Sequence, residues 1–459
     1  MNLYRLLSER AAKGRPVRVG LIGAGKFGAM FLAQARQTPG IHVVGIADIS
    51  VPRARESLAR AGWPEQQVSA ASFADALSDG TVHLTEDAKS LIAADGIEVV
   101  IDATGDPAAG IRHALLCCAH ERHVVMVNVE ADALAGPLLA RRASDAGIVY
   151  SLAYGDQPAL VCELVDWARA AGFEVVCAGK GTKYLDEYRA STPDTVWEHY
   201  GGLPPEQAAA AGLNAKMFNS FVDGTKSAIE MAAVANATGL VPAPDGLGFP
   251  PAGVGELAKV CRPRADDGTL HHKGTVEVVS SLRRDGGPVE RDLRWGVYVT
   301  FEAPSDYVKM CFAEYGLIMD ESGRYTAMYR PYHLIGLELG VTVASAALRR
   351  ESTGAPTAGF CGDVVAVAKR DLGPGEVLDG EGGYTVWGRL MPASDSLALG
   401  GLPIGLAHHV ELKNAVAAGE PLRWSDVEID EGLQAVRVRH EMEAIFSGDA
   451  GAPPARHGL

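Results

Sequence analysis

The chain has 459 residues, which is too long for a single hydrophobic core of ordinary size, so two or three domains are expected. Hydrophobic residues make up 47% and charged residues 22% of the sequence, as is typical of a globular protein in water. Because the net charge is −15 and no lysine- or arginine-rich run offsets it, we do not expect a nucleic-acid partner.

The N-terminal segment and the cysteines favour the cytoplasm. Residues 1–10 have the pattern of a short amphipathic helix and lack the apolar stretch and cleavage site of a secretion signal. No window of about eighteen apolar residues suggests a membrane span. The seven cysteines are odd in number and form no C-x-x-C pair, so they are expected in apolar cores rather than in disulfides or metal sites. The sequence therefore predicts a cytoplasmic protein with no membrane partner and no metal.

The first motif of the chain is a G-x-G-x-x-G sequence formed by Gly23, Gly25 and Gly28. It follows an apolar run at residues 17–22 and precedes a helical pattern at residues 28–38, which is the context of a dinucleotide-binding turn. Gly23 permits the tight turn, Gly25 lets the backbone approach a pyrophosphate, and Gly28 lets the helix lie close to the strand. The residues predicted to bind the cofactor at this turn are Gly23, Ala24, Gly25, Lys26, Phe27 and Gly28.

Asp48 ends the next apolar run, residues 41–48, at the position where an acid accepts hydrogen bonds from an adenosine ribose. A carboxylate there would repel the 2′-phosphate of NADP. The sequence therefore predicts NAD as the cofactor, with NADP as the alternative. The alternative is that these residues form a glycine-rich turn in an unrelated α/β domain and bind no dinucleotide.

Alternating strands and helices up to about residue 155 indicate βαβ units and a parallel, doubly wound sheet. The predicted strands are residues 18–22, 43–48, 98–104, 123–128 and 148–152. Thr104 and Gly105 end one strand at the edge where open α/β sheets bind ligands, so both are predicted cofactor contacts. Asn128 and Glu130 follow the next strand and are predicted near the nicotinamide, Asn128 as a cofactor contact and Glu130 in catalysis.

A second region, residues 156–352, has strands predicted at 174–178, 276–281 and 296–301 and contains the main candidate for chemistry. Asp223 is predicted to cap a helix that ends at Gly239. Lys226 and Glu230 fall on one face of this otherwise apolar helix. A lysine removed from water can act as general acid or base, so Lys226 is the predicted catalytic group, with Asp223 and Glu230 adjusting it. The alternative is a purely structural pair between Lys226 and Glu230.

Four further residues are candidates for holding an anionic substrate. Lys180 and Lys183 come just after a predicted strand, where glycines would leave backbone N–H groups open beside the charges. Arg330 and His333 flank a proline turn and could clamp an anion and move a proton. Solvated or structural roles are the alternatives for all four. Beyond a break near residue 355, residues 360–446 have the texture of short strands and turns, which predicts a small, mostly β module.

The order of these parts resembles oxidoreductases built from a homoserine-dehydrogenase-like pair of domains followed by a SAF domain. The resemblance rests on motifs that span nearly the whole chain, and these are Gly20–Gly25, Ile101–Gly105, Val127–Asp132, Asp223–Leu240, Arg330–Leu334, Val367–Leu378 and Leu402–Ala407. It implies an α/β protein with a Rossmann domain over 1–155, an α+β catalytic domain over 156–352 and a SAF-like, β-clip module over 360–446. It also implies an Asp/Lys catalytic pair in the block of Asp223 and Lys226, although the spacing differs by one residue.

One branch of this group comprises reductoisomerase-like enzymes that convert 1-deoxy-D-xylulose 5-phosphate to methylerythritol phosphate with NADPH. That branch carries basic residues where this chain has Asp48, with Arg53 and Arg55 only further on. Homoserine dehydrogenases carry a lysine beside the asparagine of the strand end, whereas Val129 and Glu130 follow Asn128 here. Neither reaction is therefore the first expectation.

The predicted function is that of an NAD(P)-dependent oxidoreductase acting on a CH–OH or C=O group of a small, polar, anionic substrate, in a homo-oligomer. Three alternatives remain: a reductoisomerase of a sugar phosphate, a homoserine dehydrogenase, and a non-enzymatic NAD-sensing or scaffold protein.

Overall fold

The computed structural model describes residues 2–210 and 213–447. The chain forms two compact units. One comprises Met1–Leu160 with His333–Thr357, and the other comprises Val161–Tyr332 with Ala358–Leu459, of which the residues up to 447 are described. The chain thus leaves the first unit and returns to it once. Within the described ranges, every helix is too short or too polar to cross a bilayer.

The helices of the two units are numbered here along the chain. They are α1 (Leu3–Ala12), α2 (Lys26–Ala35), α3 (Val51–Arg60), α4 (Phe73–Asp79), α5 (Ala88–Ala93), α6 (Pro107–Ala119), α7 (Val129–Asp145), α8 (Gln157–Ala170), α9 (Pro205–Ala210), α10 (Ala215–Val222), α11 (Thr225–Thr238), α12 (Leu257–Val260), α13 (Asp306–Glu314), α14 (Gly340–Arg349), α15 (Ala393–Leu399) and α16 (Gln434–Ser447).

The strands are numbered in the same way. They are β1 (Val17–Ile22), β2 (Ile41–Ala47), β3 (His83–Thr85), β4 (Val99–Asp102), β5 (His123–Met126), β6 (Tyr150–Leu152), β7 (Glu174–Thr182), β8 (Thr275–Ser280), β9 (Val297–Glu302), β10 (Tyr325–Arg330), β11 (Gly362–Ala368), β12 (Val377–Asp379), β13 (Val386–Pro392), β14 (His408–Leu412) and β15 (Val427–Glu428).

The first unit is built on a six-stranded parallel sheet in the order β3-β2-β1-β4-β5-β6. This is the doubly wound order of dinucleotide-binding sheets. Alternate side chains of β1 and β4, such as Val19, Leu21 and Ile101, are fully buried against Phe31 of α2. The predicted parallel sheet is confirmed, and β3 is a strand that the sequence analysis did not predict.

Helix α14 belongs to the core of this first unit although it lies far along the chain. Its buried side chains Val343 and Ala344 join the same apolar cluster as the strands of the sheet. The hydroxyl of Thr342 accepts a 2.7 Å hydrogen bond from the amide of Tyr154. The prediction of three consecutive domains, 1–155, 156–352 and 360–446, remains a prediction, because the compact units follow packing and not chain order.

The second unit contains a four-stranded sheet in the order β10-β9-β7-β8. Strand β7 runs parallel to β8 and antiparallel to β9, so the sheet is mixed. Helix α11 is almost wholly buried and contacts β7 and β8, and it also contacts β11 and β13 from the last part of the chain. The predicted α/β class with a separate second sheet is thereby confirmed.

The last part of the chain forms two small antiparallel sheets, one of β11 and β13 and one in the order β12-β14-β15. Helix α16 closes this region through Arg439, which is fully buried and donates to the carboxylate of Asp363 on β11 at 3.0 Å. The region combines five short strands with the helices α15 and α16, and the mostly β, SAF-like module remains a prediction.

Candidate active site

The turn between β1 and α2 has the geometry that its three glycines predict. Gly23 has φ 92°, a left-handed conformation that favours glycine, and a Cβ there would lie 2.8 Å from the carbonyl oxygen of Ala103. A Cβ on Gly28 would lie 2.2 Å from the carbonyl oxygen of Gly23. A Cβ on Gly25 would meet no protein atom within 4 Å. The turn is therefore closely packed at Gly23 and Gly28 and open at Gly25, on the side where a pyrophosphate would approach.

Asp48 follows β2 and is tied to this turn. Its carboxylate accepts hydrogen bonds from the amide of Ala24 at 2.8 Å and from the amide of Ser50 at 2.9 Å. The guanidinium of Arg53 reaches the same carboxylate at 3.2 Å and is itself more than half exposed. The sequence analysis placed Arg53 further on, whereas the helix α3 brings it beside Asp48. A 2′-phosphate at this point would meet a cation as well as an anion.

Thr104, Asp102 and Asn128 form a hydrogen-bonded cluster behind the carboxyl ends of β4 and β5. Thr104 donates its amide and its hydroxyl to Asp102, at 2.9 and 2.6 Å. The amide nitrogen of Asn128 donates to the hydroxyl of Thr104 and the carbonyl of Asp106, at 3.0 and 2.8 Å. The side-chain oxygen of Asn128 caps helix α7 by accepting from Ala131. Asn128 is fully buried, so its amide supports the strand ends from within.

Asp102 is a polar core residue that the sequence analysis did not single out as functional. Its second carboxylate oxygen lies 2.7 Å from Nδ1 of His113 on α6, and both side chains are buried. The available signal was an acid at the end of the apolar run 97–102. Glu130, predicted in catalysis, lies half-buried in the first turn of α7, two residues from Asn128. Gly105 follows Thr104 in the same loop, and a Cβ there would meet open space.

In the second unit, Asp223 lies between two helices and does not cap the helix that carries Lys226. Helix α10 ends at Val222 with Asp223 as its C-cap, and Gly224, with φ 88°, is the N-cap of α11. The prediction of Asp223 as the N-cap is therefore wrong, because the chain needs a left-handed residue at the join. The carboxylate of Asp223 accepts from the amide of Thr225 at 2.9 Å. Gly239 ends α11 in a left-handed conformation, as predicted.

The counter-ion of Asp223 is Lys369, which follows β11. The ammonium lies 2.8 Å from the carboxylate, and the two side chains are 3% and 0% exposed. Lys369 also donates to the carbonyls of Ser191 and Gly383, at 2.7 and 2.8 Å. Burial raises the pKa of Asp223, and Lys369 opposes that rise. The sequence carried no signal for this pair, since the two residues belong to distant parts of the chain.

Lys180 lies within β7 and not in a loop after it. Its ammonium makes a buried ion pair with Glu230 of α11. The expectation that nearby glycines leave open N–H groups is wrong, because the strand continues through them. A Cβ on Gly179 would lie 1.8 Å from the carbonyl oxygen of Glu277, and one on Gly181 would lie 1.9 Å from that of Leu293. These glycines let neighbouring backbone approach β7 closely.

The other predicted residues of the second region lie at element ends. Lys183 follows β7, donates to the carbonyl of His199, and has its pKa lowered by burial and by the charge of Arg294. Lys226 is half-buried in the first turn of α11, four residues before Glu230. Arg330 ends β10 in the second unit. His333 begins the segment that returns to the first unit, and it is half-buried there.

A cavity of about 290 Å³ lies within the second unit. It is lined by Arg189, Ala190, Gly224, Ala228, Asp245, Leu247, Phe249, Ala368, Lys369, Trp387, Gly388, Arg389, Leu390 and Gly419. The sequence analysis named none of these residues as functional. In the part of the chain that the structure describes, no cluster of three or more His, Cys, Asp or Glu side chains could hold a metal ion.

Residues 155–339 match the family described as "Oxidoreductase DRL, catalytic domain". The matched segment is less than half of the chain, and it contains β7–β10, α11 and the residues Asp223, Lys226 and Glu230. This segment is thus similar to an oxidoreductase catalytic domain, and the match confirms the enzyme class predicted from the sequence. No curated protein matches the chain at a significant level.

Solved structures match parts of the chain at low identity. An NAD binding oxidoreductase from Klebsiella pneumoniae is 18% identical over 38% of this chain and 47% of its own, with a TM-score of 0.28. Apo scyllo-inositol dehydrogenase from Lactobacillus casei is 10% identical over 38% of this chain and 47% of its own, with a TM-score of 0.26. The WlbA dehydrogenase from Bordetella pertussis, in complex with NADH and UDP-GlcNAcA, is 19% identical over 39% of this chain and 51% of its own, with a TM-score of 0.26. The chain spans about half the length of these proteins, and such TM-scores carry no functional argument.

Proposed function

We propose that the chain is an NAD(P)-dependent oxidoreductase that transfers hydride to or from the carbinol or carbonyl carbon of a small, polar, anionic substrate. The observation that carries the proposal is the combination, in one chain, of an oxidoreductase catalytic segment and a G-x-G-x-x-G turn on a six-stranded sheet. The substrate class rests on the basic residues of the catalytic segment.

The turn fits a dinucleotide. Gly23 and Gly28 fold it tightly, Gly25 leaves its outer side open, and α2 begins directly after it, so that N–H groups of the first helical turn are directed toward an anion. Asp48 would accept from the adenosine ribose, with Arg53 beside it. Thr104 and Gly105 would line the nicotinamide side, and Asn128, which was predicted as a cofactor contact, would support Thr104 from within. When bound, the dinucleotide supplies the hydride donor or acceptor.

Lys226 is proposed to donate a proton to the reacting oxygen of the substrate or to accept one from it. It lies in the first turn of a buried helix, and Glu230 follows it by one helical turn. Glu230 is paired with Lys180, so this carboxylate would act as a positioning group on the same helical face. Asp223 would position the start of the helix through Thr225. Glu130 is proposed, from its place after a strand of the first unit, to take part in catalysis.

Lys183, Arg330 and His333 are proposed to contact the anionic part of the substrate. Among these residues Lys183 is the best supported, because an anion would stabilise the charge of a half-buried ammonium that lies near the positive charge of Arg294. Lys180 was predicted in the same role, and its pair with Glu230 makes it a positioning residue in this proposal. A homo-oligomer remains proposed and is tested by light scattering of the purified chain.

The proposal is tested with the full chain in two steps. Binding of NADH and NADPH is first measured by the fluorescence of the reduced nicotinamide. A panel of hydroxy acids, keto acids and sugar phosphates is then screened for turnover by the absorbance of the reduced cofactor. Turnover with rearrangement of the carbon skeleton would indicate a reductoisomerase, and turnover of homoserine a homoserine dehydrogenase. Tight NADH binding without oxidation by any carbonyl would refute the enzymatic proposal in favour of a sensor.

The role of Lys226 is tested by replacing it with methionine. Loss of a general acid or base should lower kcat by about 100-fold or more, while NADH binding stays within about twofold. Lys259→Met is the matched control, because Lys259 is an exposed lysine of the same unit whose ion-pair partner, Glu321, is also exposed. Near-normal turnover of Lys226→Met would eliminate the proton-transfer role and leave the oxidoreductase class intact.

A further inference from the structure

One arginine of the cavity in the second unit forms no ion pair with a described residue. Arg389, on β13, is half-buried, and its Nε is buried with no hydrogen-bond partner in the described protein. A buried guanidinium N–H without a partner costs free energy, and a bound ion, a water molecule or a functional role is the usual explanation for such a group. An anion bound in the cavity would supply this guanidinium with the negative charge that it lacks.

A second cation and an indole ring stand beside Arg389. Trp387 is two residues away on the same strand, so its side chain lies on the same face of β13 as Arg389. The guanidinium of Arg189 lies 5.3 Å from the centre of the Trp387 ring. Arg189 is held there because its Nε donates to the hydroxyl of Tyr184 at 2.6 Å. Two guanidiniums therefore flank one flat apolar surface.

The remaining charges at the cavity leave it electropositive. Lys369 is neutralised by buried Asp223. Arg189 is 3.7 Å from Asp186, a pair in which both side chains are largely exposed and which is therefore weak. Asp245 is the carboxylate among the lining residues, and it is exposed. Within the described residues no carboxylate forms an ion pair with Arg389.

The cavity lies on the side of α11 opposite Lys226 and Glu230. Gly224 and Ala228 line it, and they are four residues apart on one helical face. Lys226 and Glu230 are each two residues further on, which is roughly 200° around a helix of 3.6 residues per turn. An occupant of the cavity would thus contact the other face of the same helix.

We propose that this cavity is a binding site for a small organic anion, in which Arg389 and Arg189 hold a carboxylate or phosphate group and Trp387 packs against an apolar part. The volume of about 290 Å³ is at the small end of ligand pockets, which excludes a second dinucleotide. The last part of the chain supplies Arg389, Trp387 and Lys369, so completing this site is one function of that part.

The site is tested by calorimetry on the full chain with inorganic phosphate and with benzoate as separate probes, in the presence of saturating NAD⁺ so that the glycine turn does not contribute. At least one probe is expected to bind saturably, one per chain. Binding of phosphate alone would assign a phosphate ester, and binding of benzoate alone would assign a carboxylate. The absence of saturable binding by both probes would overturn the proposal.

Variants locate the binding. Arg389→Met should weaken the affinity by about tenfold or more, as expected for the loss of a charge-assisted hydrogen bond. Arg437→Met, at an exposed arginine of α16, is the matched control and should stay within about twofold. Without a probe, Arg389→Met should keep or raise Tm, because it removes a buried group that lacks a partner. Arg189→Met provides a second variant should the first fail to fold. Unchanged binding in either folded variant would overturn the assignment, and the result does not depend on turnover.

Discussion

Replacing Lys369 with methionine should destabilise the chain by about 3–5 kcal/mol at neutral pH, since it leaves the carboxylate of Asp223 buried without its counter-ion. Asp223 is fully buried, and Lys369 is its ion-pair partner at 2.8 Å. The same substitution also removes hydrogen bonds to the carbonyls of Ser191 and Gly383. The magnitude follows from burial, because an exposed pair is worth about 0–1 kcal/mol.

The assay is urea unfolding followed by circular dichroism. Lys259→Met breaks a pair with Glu321 in which the two side chains are 48% and 62% exposed, so it should change the free energy of unfolding by less than about 1 kcal/mol. The double variant Asp223→Asn, Lys369→Met should recover much of the loss, because no charge is then left in the interior. Equal effects of the two single lysine variants would refute the reasoning, and so would a double variant no better than Lys369→Met.

The loss in Lys369→Met should also depend on pH in a defined direction. Burial raises the pKa of Asp223 and Lys369 lowers it, so removing the lysine raises that pKa further. Between the unfolded and the folded pKa of this carboxyl, the folded state holds one more proton, and stability falls as pH rises. The variant should therefore lie nearest to the wild type at acid pH. A constant difference across the pH range would contradict this account.

Four further substitutions give separate readouts. Gly25→Ala should leave Tm unchanged and weaken NADH binding about tenfold or more, whereas Gly28→Ala, whose Cβ would meet the Gly23 carbonyl at 2.2 Å, should also cost about 1–3 kcal/mol of stability in a thermal melt. Burial raises the pKa of Asp132 from 3.8 to about 7, so Asp132→Asn should gain stability relative to the wild type by up to about 4 kcal/mol as pH rises from 4 to 8 in urea titrations. Asp48→Asn should shift the NADPH to NADH ratio of kcat/KM upward by about tenfold, since the neighbouring guanidinium is then unopposed, and an unchanged ratio would remove Asp48 as the discriminating group.

The first unit could be predicted closely because its signals are local. Five strands of its sheet lie within a few residues of the predicted runs, and the G-x-G-x-x-G turn has the conformation that its glycines require. The strand that was missed, β3, has three residues and no apolar run to mark it. Helix α14 packs in this unit through its apolar face. A sequence pattern reveals such a face but does not reveal which element it packs against.

The second unit was predicted less well because its polar residues are defined by distant neighbours. Gly179 and Gly181 suggested a loop, but neighbouring backbone packs against them, and β7 continues through Lys180. Lys180 then meets Glu230 across the interface of sheet and helix. Spacing along a helix indicated which face Glu230 occupies and could not indicate the strand that faces it.

The last part of the chain lies outside the segment matched by the oxidoreductase family, yet it contributes to the interior of that segment. Lys369 supplies the counter-charge of Asp223, and the amide of Gly388 donates to the hydroxyl of Thr225 at 2.8 Å. Both contacts act at the start of the helix that carries Lys226. Because a buried carboxylate without its counter-ion is strongly destabilising, the catalytic segment depends on these contacts for its own stability. This part of the chain is therefore integral to the second unit and not a separable passenger, whatever ligand its cavity takes.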